Sequence, residues 1–504
     1  MSDLIKPQNL SLSSEQMTML LPYIIVAIGG MISLLAGVSV YSQDPKINKK
    51  KRNQAAIGTA MITLFSTFLA IQRIWGEPTI ILFNNMLSID YFSCLFNLVF
   101  IGVTALICAT SYHYLEKEDI HHAEYYPLLL FSCLGMMLLA SSLDLIVLFL
   151  ALETMSIAVY VLVGFRRADL KSNEAAIKYF ILGSAVSAIL LFGVALIYGA
   201  TSSMNVTEIA TWIKANPNLN HLFILGAVLV GIGFLFKVAS VPFHMWMPDV
   251  YEGAPTSITS FMTTGLKAAS FAAFLRVFIS LGYADDVITV LDKGFHNLLW
   301  ALAILTMFIG NVIALTQKNI KRMLAYSSIA HTGYLLVGLL TCGKSEYGTS
   351  SVVMYLITYV VMNIGAFAIL DLISEKGDKN LDIEALSGLG FKHPALGFAM
   401  TVFMFSMAGV PPTAGFAGKY LIFSAAVQSE ETLLAVLGVL CSAISAYYYL
   451  RVIVYMYMKE PGNDSRIQFN LSNSAVIFIA TMGTLQFGLF PTILIHAAKK
   501  AAGM

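Results

Sequence analysis

Long apolar runs, each of bilayer length and each closed by a short polar or charged segment, recur along the whole chain. A membrane-crossing helix needs about 20 mostly apolar residues, and such runs centre near residues 30, 65, 99, 134, 154, 187, 232, 268, 307, 332, 362, 408, 445 and 484. The pattern predicts an all-α, polytopic membrane protein with about 14 transmembrane helices. The weakest boundary lies between the fourth and fifth spans, where only "SSLD" (141–144) interrupts a long apolar stretch.

The polar connections set a direction. "DPKINKKKRN", "RRADLK" and "QKNIKR" follow the first, fifth and ninth spans and are strongly basic, whereas the connections after spans six and eight carry few basic residues and "QSEE" after span twelve is acidic. Basic residues collect in cytoplasmic loops. This places both termini on the outer side of the membrane.

Composition agrees with the pattern: of 504 residues 58% are hydrophobic and 12% charged, with a mean hydropathy of +0.76. Thirty Lys and Arg balance 29 Asp and Glu, so no basic surface points to nucleic acid. Cys94, Cys108, Cys133, Cys342 and Cys441 stand singly, without a CxxC pair, and encode neither an iron–sulfur cluster nor a structural zinc. Any electron carrier is therefore expected on another chain. The polar N-terminus lacks the pattern of a cleaved signal, and the first apolar stretch reads as a retained helix.

Self-comparison adds a repeat. "YVLVG" (160–164) resembles "YLLVG" (334–338), "KYFI" (178–181) resembles "MYLI" (354–357), and "FKVASVP" (236–242) resembles "FSMAGVP" (405–411), at separations of 174, 176 and 169 residues. Spans five to seven thus pair with ten to twelve, and an offset of five spans makes the copies inverted. Inverted repeats with interrupted helices mark transport sites near the bilayer midplane. The expected division is 1–125 for helices one to three, 126–282 for the first repeat (helices four to eight), 297–458 for the second (helices nine to thirteen), and 459–504 for helix fourteen.

Within these runs sit charges that cost about 2.5–3.5 kcal/mol each at the bilayer centre. Glu153 lies mid-span five, Lys237 mid-span seven, Lys267 mid-span eight and Lys419 in span twelve, with Lys178 shallower in span six. A low-dielectric interior disfavours the charged form of such groups and moves them toward proton exchange, so the deep residues suit a proton relay. Near span ends, at Lys178, Arg276, Asp371 and Arg451, a snorkelling side chain or a structural ion pair explains as much as a functional role. Pro242 and the pair Pro411–Pro412 break spans seven and twelve. The carbonyls of Val238, Met407 and Ala408 are freed, and those beside Lys237 are expected to hold water. His331 and His244 are weaker candidates; packing accounts for a lone histidine more often than chemistry, but His331 falls on the repeat mate of the Glu153 span. Lys237 precedes its proline by five residues while Lys419 follows Pro411 by eight, so the two halves are not expected to be mirror images. No phosphate loop, nucleophile elbow or metal-protease motif occurs.

"KVASVPFHMWMPDVYEGAPTSITSFMTTGLKAA" (237–269), "MAGVPPTAGFAGKYLIF" (407–423) and "FLALETMSIAVYVL" (149–162) together resemble the N-type membrane subunits of bacterial NADH–quinone oxidoreductase, respiratory complex I, which are homologous to mitochondrial and plastid subunit 2. "PDVYEGAPT" separates this type from the L and M subunits and from multisubunit cation/proton antiporters. The resemblance implies a proton-pumping, antiporter-like subunit with no cofactor on this chain; flavin, iron–sulfur clusters and quinone belong to partner subunits. It further implies M- and K-type neighbours in the membrane arm, and a chain lacking the long lateral helix of the L subunit. By the same resemblance Glu153 and Lys237 belong to the first half-channel, Lys267 links the halves, Lys419 serves the second, and Lys178 matches a sixth-span lysine. The competing readings are a Na⁺/H⁺ or K⁺/H⁺ antiporter subunit, and an inert membrane scaffold.

Overall fold

Polar side chains write the starts of the helices. Ser13, Asp90, Asp144, Asp169, Asn205, Asn220, Asn319 and Asn470 each place a side-chain oxygen on a backbone N–H of the turn that follows. These N–H groups have no partner within the helix, and in a lipid-surrounded bundle an unpaired one is costly. Asp144 resolves the weakest boundary: it accepts from Ile146 and Val147 and starts a new helix directly after "SSLD".

The computed structural model describes residues 13–40, 45–120, 122–216, 218–281, 290–460, 467 and 469–503. The chain opens with α1 (Ser14–Ser39) and α2 (Pro45–Ile74), then a hairpin of β1 (Ile80–Leu82) and β2 (Leu87–Ile89) paired antiparallel with Ile80 opposite Ile89. Next come α3 (Tyr91–Glu118), α4 (Tyr125–Ser141), α5 (Leu145–Val163), α6 (Leu170–Thr201) and the short α7 (Val206–Ala215). α8 (His221–Lys237) and α9 (Met247–Gly253) are separated by irregular turns. α10 (Thr256–Phe261) continues through a π turn (Met262–Leu266) into α11 (Lys267–Ser280). α12 (Val290–Thr316), α13 (Ile320–Leu340) and α14 (Gly348–Ile373) follow, and a loop with a 3₁₀ turn leads to α15 (Leu389–Lys392). α16 (Pro394–Ala408) and α17 (Ala414–Gln428) form a second interrupted pair, before α18 (Thr432–Met458), α19 (Leu471–Leu489) and α20 (Thr492–Ala502), which bends 83° from α19.

Among the described residues ten helices are long and apolar enough to cross a membrane, eleven if the bent α19–α20 pair counts as one span; α4, α8 and α16 are shorter apolar helices. Burial sorts them. In the spans Thr256–Ile279, Ile320–Leu340 and Gly348–Ile373, 94% of the apolar window is buried, against 33% in α6. The π-interrupted helix, α13 and α14 therefore form the axis of the bundle, and the functional side chains below converge on it.

The charges near helix ends are paired. Lys117 bonds the Asp371 carbonyl and Ser374, Arg451 donates to the carbonyls of Leu315 and Gln317, and Lys178 pairs with Glu174 and Asp249. Arg276 holds Asp90 through two parallel bonds of 2.8 Å, with the guanidinium 4.9 Å from the Phe92 ring. Burial alone raises the Asp90 carboxyl, but the Arg276 charge and bonds, with those from Ser93 and Ser88, hold it below the usual carboxylate value. The pair thus stabilises fully above the unfolded value of about 3.9 and loses its contribution as pH falls through the lower folded value. Asp90→Asn keeps the helix cap and removes the charge, leaving a buried guanidinium unpaired. It is expected to destabilise by about 3–5 kcal/mol, read as a lower thermal midpoint in detergent at neutral pH.

Candidate functional site

The first break forms because Ala239 takes a left-handed backbone, φ 56°. Ser240 N–H then reaches back to the Leu235 carbonyl at 2.9 Å, closing α8 in the manner of a Schellman cap. Past it the Val241–Pro242 peptide is cis. The freed Val238 carbonyl is taken by a neighbouring side chain, Thr332 of α13 donating to it at 2.7 Å, and the Trp246 indole adds a bond of 3.2 Å to Phe236 O, which also accepts from Ala239 N–H. A threonine from the other half of the molecule thus occupies one of the two acceptor positions of the Val238 carbonyl. Lys237 is therefore free to face α5, where its ammonium donates to Ser156 Oγ (2.9 Å) and Tyr160 Oη (3.3 Å) and lies 5.7 Å from the Tyr160 ring centre. Glu153, Ser156 and Tyr160 share one face of α5, and Glu153 accepts from Ser187. Among the described residues no ion pair joins Glu153 to Lys237; Ser156, one turn along, holds the ammonium instead.

The second break repeats the closure and changes its occupant. Gly409, φ 89°, takes the left-handed position, Val410 N–H reaches Phe405 O at 2.9 Å, and the Pro411–Pro412 peptide is cis. Matching Ala239 with Gly409 and Ser240 with Val410 sets Pro242 opposite Pro412. The sequence match paired Pro242 with Pro411, one residue out of register, because it followed the shared Val-Pro letters rather than the residue that ends the helix. Here the freed carbonyls are capped by the lysine: Lys419 Nζ donates to Met407 O (2.8 Å), Ala408 O (3.1 Å) and Ser442 Oγ (2.8 Å), and lies 5.0 Å from the Tyr334 ring centre. Both lysines sit at the C-terminal, negative end of a half-helix, where a cation is favoured. Lys237 is itself the last residue of its half-helix, whereas Lys419 reaches back across the break.

Lys267 stands between them, immediately after the π turn, whose extra residue re-aims the side chains that follow. Its ammonium donates to Ser328 O and Ser328 Oγ, both at 2.5 Å, and lies 5.4 Å from the Tyr359 ring centre; Tyr359 also donates to Ser328 Oγ at 2.8 Å. One turn along α13, His331 bonds Tyr355 Oη through Nδ1 (2.5 Å) and Tyr449 Oη through Nε2 (3.0 Å). The Tyr355 ring packs on Gly418, the residue before Lys419. Toward the first half, Lys237 and Lys267 line one cavity of about 10 Å³ with Tyr179, Trp246 and Tyr251, space for a single water.

Each of the three lysines is thus held by one serine hydroxyl and lies within 6 Å of one tyrosine ring centre, Lys237 on the hydroxyl side of its ring: Ser156 and Tyr160, Ser328 and Tyr359, Ser442 and Tyr334. A desolvated cation gains about 2 kcal/mol from such a ring. The sequence reading missed these six residues, although Tyr160 and Tyr334 open the very segments that disclosed the repeat. The structure brings His331 into the centre. It leaves Lys178 at the basic end, 41% exposed, in an ion-pair network with Asp249 that Arg322 extends to Glu252. His244 lies in the first break with no partner at Nδ1 among the described residues. The five cysteines are buried and free, and among the described residues no group of three or more His, Cys, Asp or Glu is arranged to hold a metal.

Buried lysines on two interrupted helices within an all-helical membrane bundle define the antiporter-like class, and the family described as NADH:quinone oxidoreductase/Mrp antiporter, TM, matches residues 142–445. The NADH-quinone oxidoreductase subunit N of Trichlorobacter lovleyi is 44% identical over 488 residues, 96% of each chain. A subunit N 1 of Thermodesulfovibrio yellowstonii is 43% identical over 97% of this chain and 100% of its own. A chain of respiratory complex I from Thermus thermophilus superposes with a TM-score of 0.78 at 34% identity, covering 94% of this chain and 98% of that one. A chain of the Mrp complex from Dietzia shares the fold, with a TM-score of 0.80 at 21% identity over 97% of both. The chain belongs to the NADH-quinone oxidoreductase subunit N family.

α17 begins pressed against α16: Gly415 N–H donates to Ser406 Oγ at 2.9 Å, and a Cβ at Gly415 would lie 1.9 Å from Ser406 O. Gly415→Ala must part the two half-helices and draw Lys419 off its carbonyls. The expected cost is about 1–3 kcal/mol in stability, with a loss of pumping that Ala417→Gly, on the opposite side of the helix, does not reproduce in the assembled complex.

Proposed function

We propose that this chain is the proton-translocating N-type subunit in the membrane arm of NADH–quinone oxidoreductase, moving protons along Glu153, Lys237, Lys267, His331 and Lys419 while redox chemistry proceeds on partner subunits. The observation that carries the reading is the threefold lysine–serine–tyrosine arrangement, strung across the buried axis from one broken helix to the other. Every ammonium has a hydroxyl able to receive its proton or return one. His331, with a tyrosine on each ring nitrogen, can accept on one side while donating on the other. A charge change on Glu153 alters how readily Lys237 keeps its proton, and in a low dielectric that influence reaches the next lysine.

Counting α4, α8 with α9, α16 with α17, and α19 alongside the ten long helices makes fourteen spans, arranged as inverted five-helix repeats within 126–282 and 297–458, flanked by 1–125 and 459–504. The similar cap at the two breaks supports this division. The basic connections lie on the cytoplasmic side of a bacterial inner membrane and both termini on the periplasmic side, with M- and K-type subunits as neighbours. Flavin, clusters and quinone reside on partner chains. The antiporter alternative is less well supported: the likeness to the Mrp chain is one of fold at 21% identity, whereas the subunit N relatives match at 43–44% over nearly the whole chain.

Replacing Lys267 tests the reading. In the assembled, reconstituted complex Lys267→Ala is expected to lower the protons pumped per NADH oxidised, and Lys267→Arg to do the same, because arginine keeps the charge but cannot release its proton. Full pumping by Lys267→Arg would leave only a scaffold role.

A further inference from the structure

The tyrosines beside the first and last lysines do not serve them alike. Tyr160 offers Lys237 its hydroxyl, at 3.3 Å. Tyr334, which opens the matching sequence segment, lies with its ring centre 5.0 Å from Lys419. Among the described residues no hydrogen bond joins that ammonium to the Tyr334 hydroxyl; Met407 O, Ala408 O and Ser442 Oγ are its acceptors.

A helix that carries none of the relay residues accounts for the difference. Asn311 of α12 is 0% exposed. Its Nδ2 donates to Met307 O at 2.8 Å and to the Tyr334 hydroxyl at 3.1 Å, and its Oδ1 accepts from the Tyr448 hydroxyl of α18 at 2.9 Å. The Met307 carbonyl can only accept, so it fixes which end of the amide faces it and leaves the second N–H for Tyr334. The same Tyr334 hydroxyl meets Ser442, the serine that holds Lys419. The ring itself is set from the sides, with His331 and Phe423 edge-on at centre distances of 5.7 and 5.9 Å.

Packing identifies what stands at this place in the first half. A Cβ at Gly310 of α12 would lie 2.6 Å from Ala330 N and 3.1 Å from Tyr326 O of α13; a Cβ at Gly135 of α4 would lie 2.5 Å from Met155 N and 2.8 Å from Ala151 O of α5. The two close approaches correspond residue for residue at a separation of 175, which sets Asn311, the residue after Gly310, opposite Met136. The separation of 174 between Tyr160 and Tyr334 points to Met137 instead. Either way the first half has a methionine, with no N–H to give a tyrosine. The Tyr160 hydroxyl is left to its lysine, and the Tyr334 hydroxyl is taken by the amide.

We propose that Asn311 is a positioning residue for Lys419: by holding the Tyr334 hydroxyl it keeps that oxygen from the ammonium, which is left to Ser442, the two carbonyls of the break and the tyrosine ring. An ammonium has three N–H groups, and Lys419 already has three acceptors. A released Tyr334 oxygen competes with them and draws the lysine off the break. The role rests on the relay reading of Lys419, and the test separates the two.

In the complete reconstituted complex, Asn311→Met, which copies the first half, is expected to lower the protons pumped per NADH oxidised. Tyr334→Phe removes the hydroxyl and keeps the ring, so adding Asn311→Met to Tyr334→Phe is expected to cause no loss beyond that of Tyr334→Phe alone. A further loss in that background marks a merely structural asparagine and overturns the proposal, as does full pumping by Asn311→Met. Loss of pumping in Lys419→Ala alongside either of those results leaves the relay standing; full pumping in Lys419→Ala overturns both. Should Asn311→Met not assemble, or Tyr334→Phe by itself abolish pumping, a high-resolution map of the wild-type complex decides. The Asn311 amide on the Tyr334 hydroxyl, with Lys419 beyond hydrogen-bond reach of that oxygen, supports the role; any other arrangement of the three overturns it.

Discussion

An ammonium group inside a lipid-surrounded bundle cannot stand without partners, and the interior of this protein is organised around meeting that requirement three times. Lys237, Lys267 and Lys419 each receive a serine oxygen and a neighbouring tyrosine. The partners come from other helices in every case, from α5 for Lys237, from α13 and α14 for Lys267, and from α18 and α13 for Lys419. Placing the charges therefore fixes how α5, α8, α11, α13, α14, α17 and α18 pack, and the same contacts that make the charges tolerable make them continuous. Neutral hydroxyls stabilise a lysine without fixing its proton as a carboxylate would.

The two breaks show one backbone device put to different use. A left-handed residue and a back-reaching N–H end both half-helices, and each end exposes carbonyls at its negative pole. In the first break Thr332 and Trp246 occupy them, so Lys237 turns to α5; in the second Lys419 occupies them itself. Lys419 is thus held by two carbonyls and a hydroxyl where Lys237 has two hydroxyls, and the two ammonium groups stand in different local fields. Thr332 is of particular interest because it lies on α13, one residue after His331. The cap of the first break and the histidine held between two tyrosines are consecutive positions of one helix.

The ion pairs at the two ends brace this interior. Arg276–Asp90 ties α11 to the start of α3 at one end of the bundle, and at the basic end Asp378 holds Arg166 of the α5–α6 connection and Lys321 of α13, which in turn bond the carbonyls of the α9–α10 junction. Burial raises the Asp378 carboxyl, but Lys321 and Arg166, with Lys117, outweigh it and hold the carboxyl below its usual value. It stays charged as pH rises from acid, and the latch it forms is lost only when pH falls through that lowered value.

Much of this was legible in the order of residues alone. Span-length apolar runs require helices in lipid, because no other element satisfies its own backbone there, and Glu153, Lys237, Lys267 and Lys419 announced themselves by their cost in such runs. Pro242 and Pro411–Pro412 marked the broken helices for the same local reason. What the order of residues could not settle was every property that depends on a partner distant along the chain. Thr332 reaches Val238 across 94 residues and Tyr449 reaches His331 across 118; neither residue type is unusual where it stands. The one-residue shift in matching the breaks has the same origin, since Ala239 and Gly409 end their helices by backbone conformation rather than by shared letters. Local composition decided which groups are buried and charged; only the packing of helices against one another decided what each of them touches.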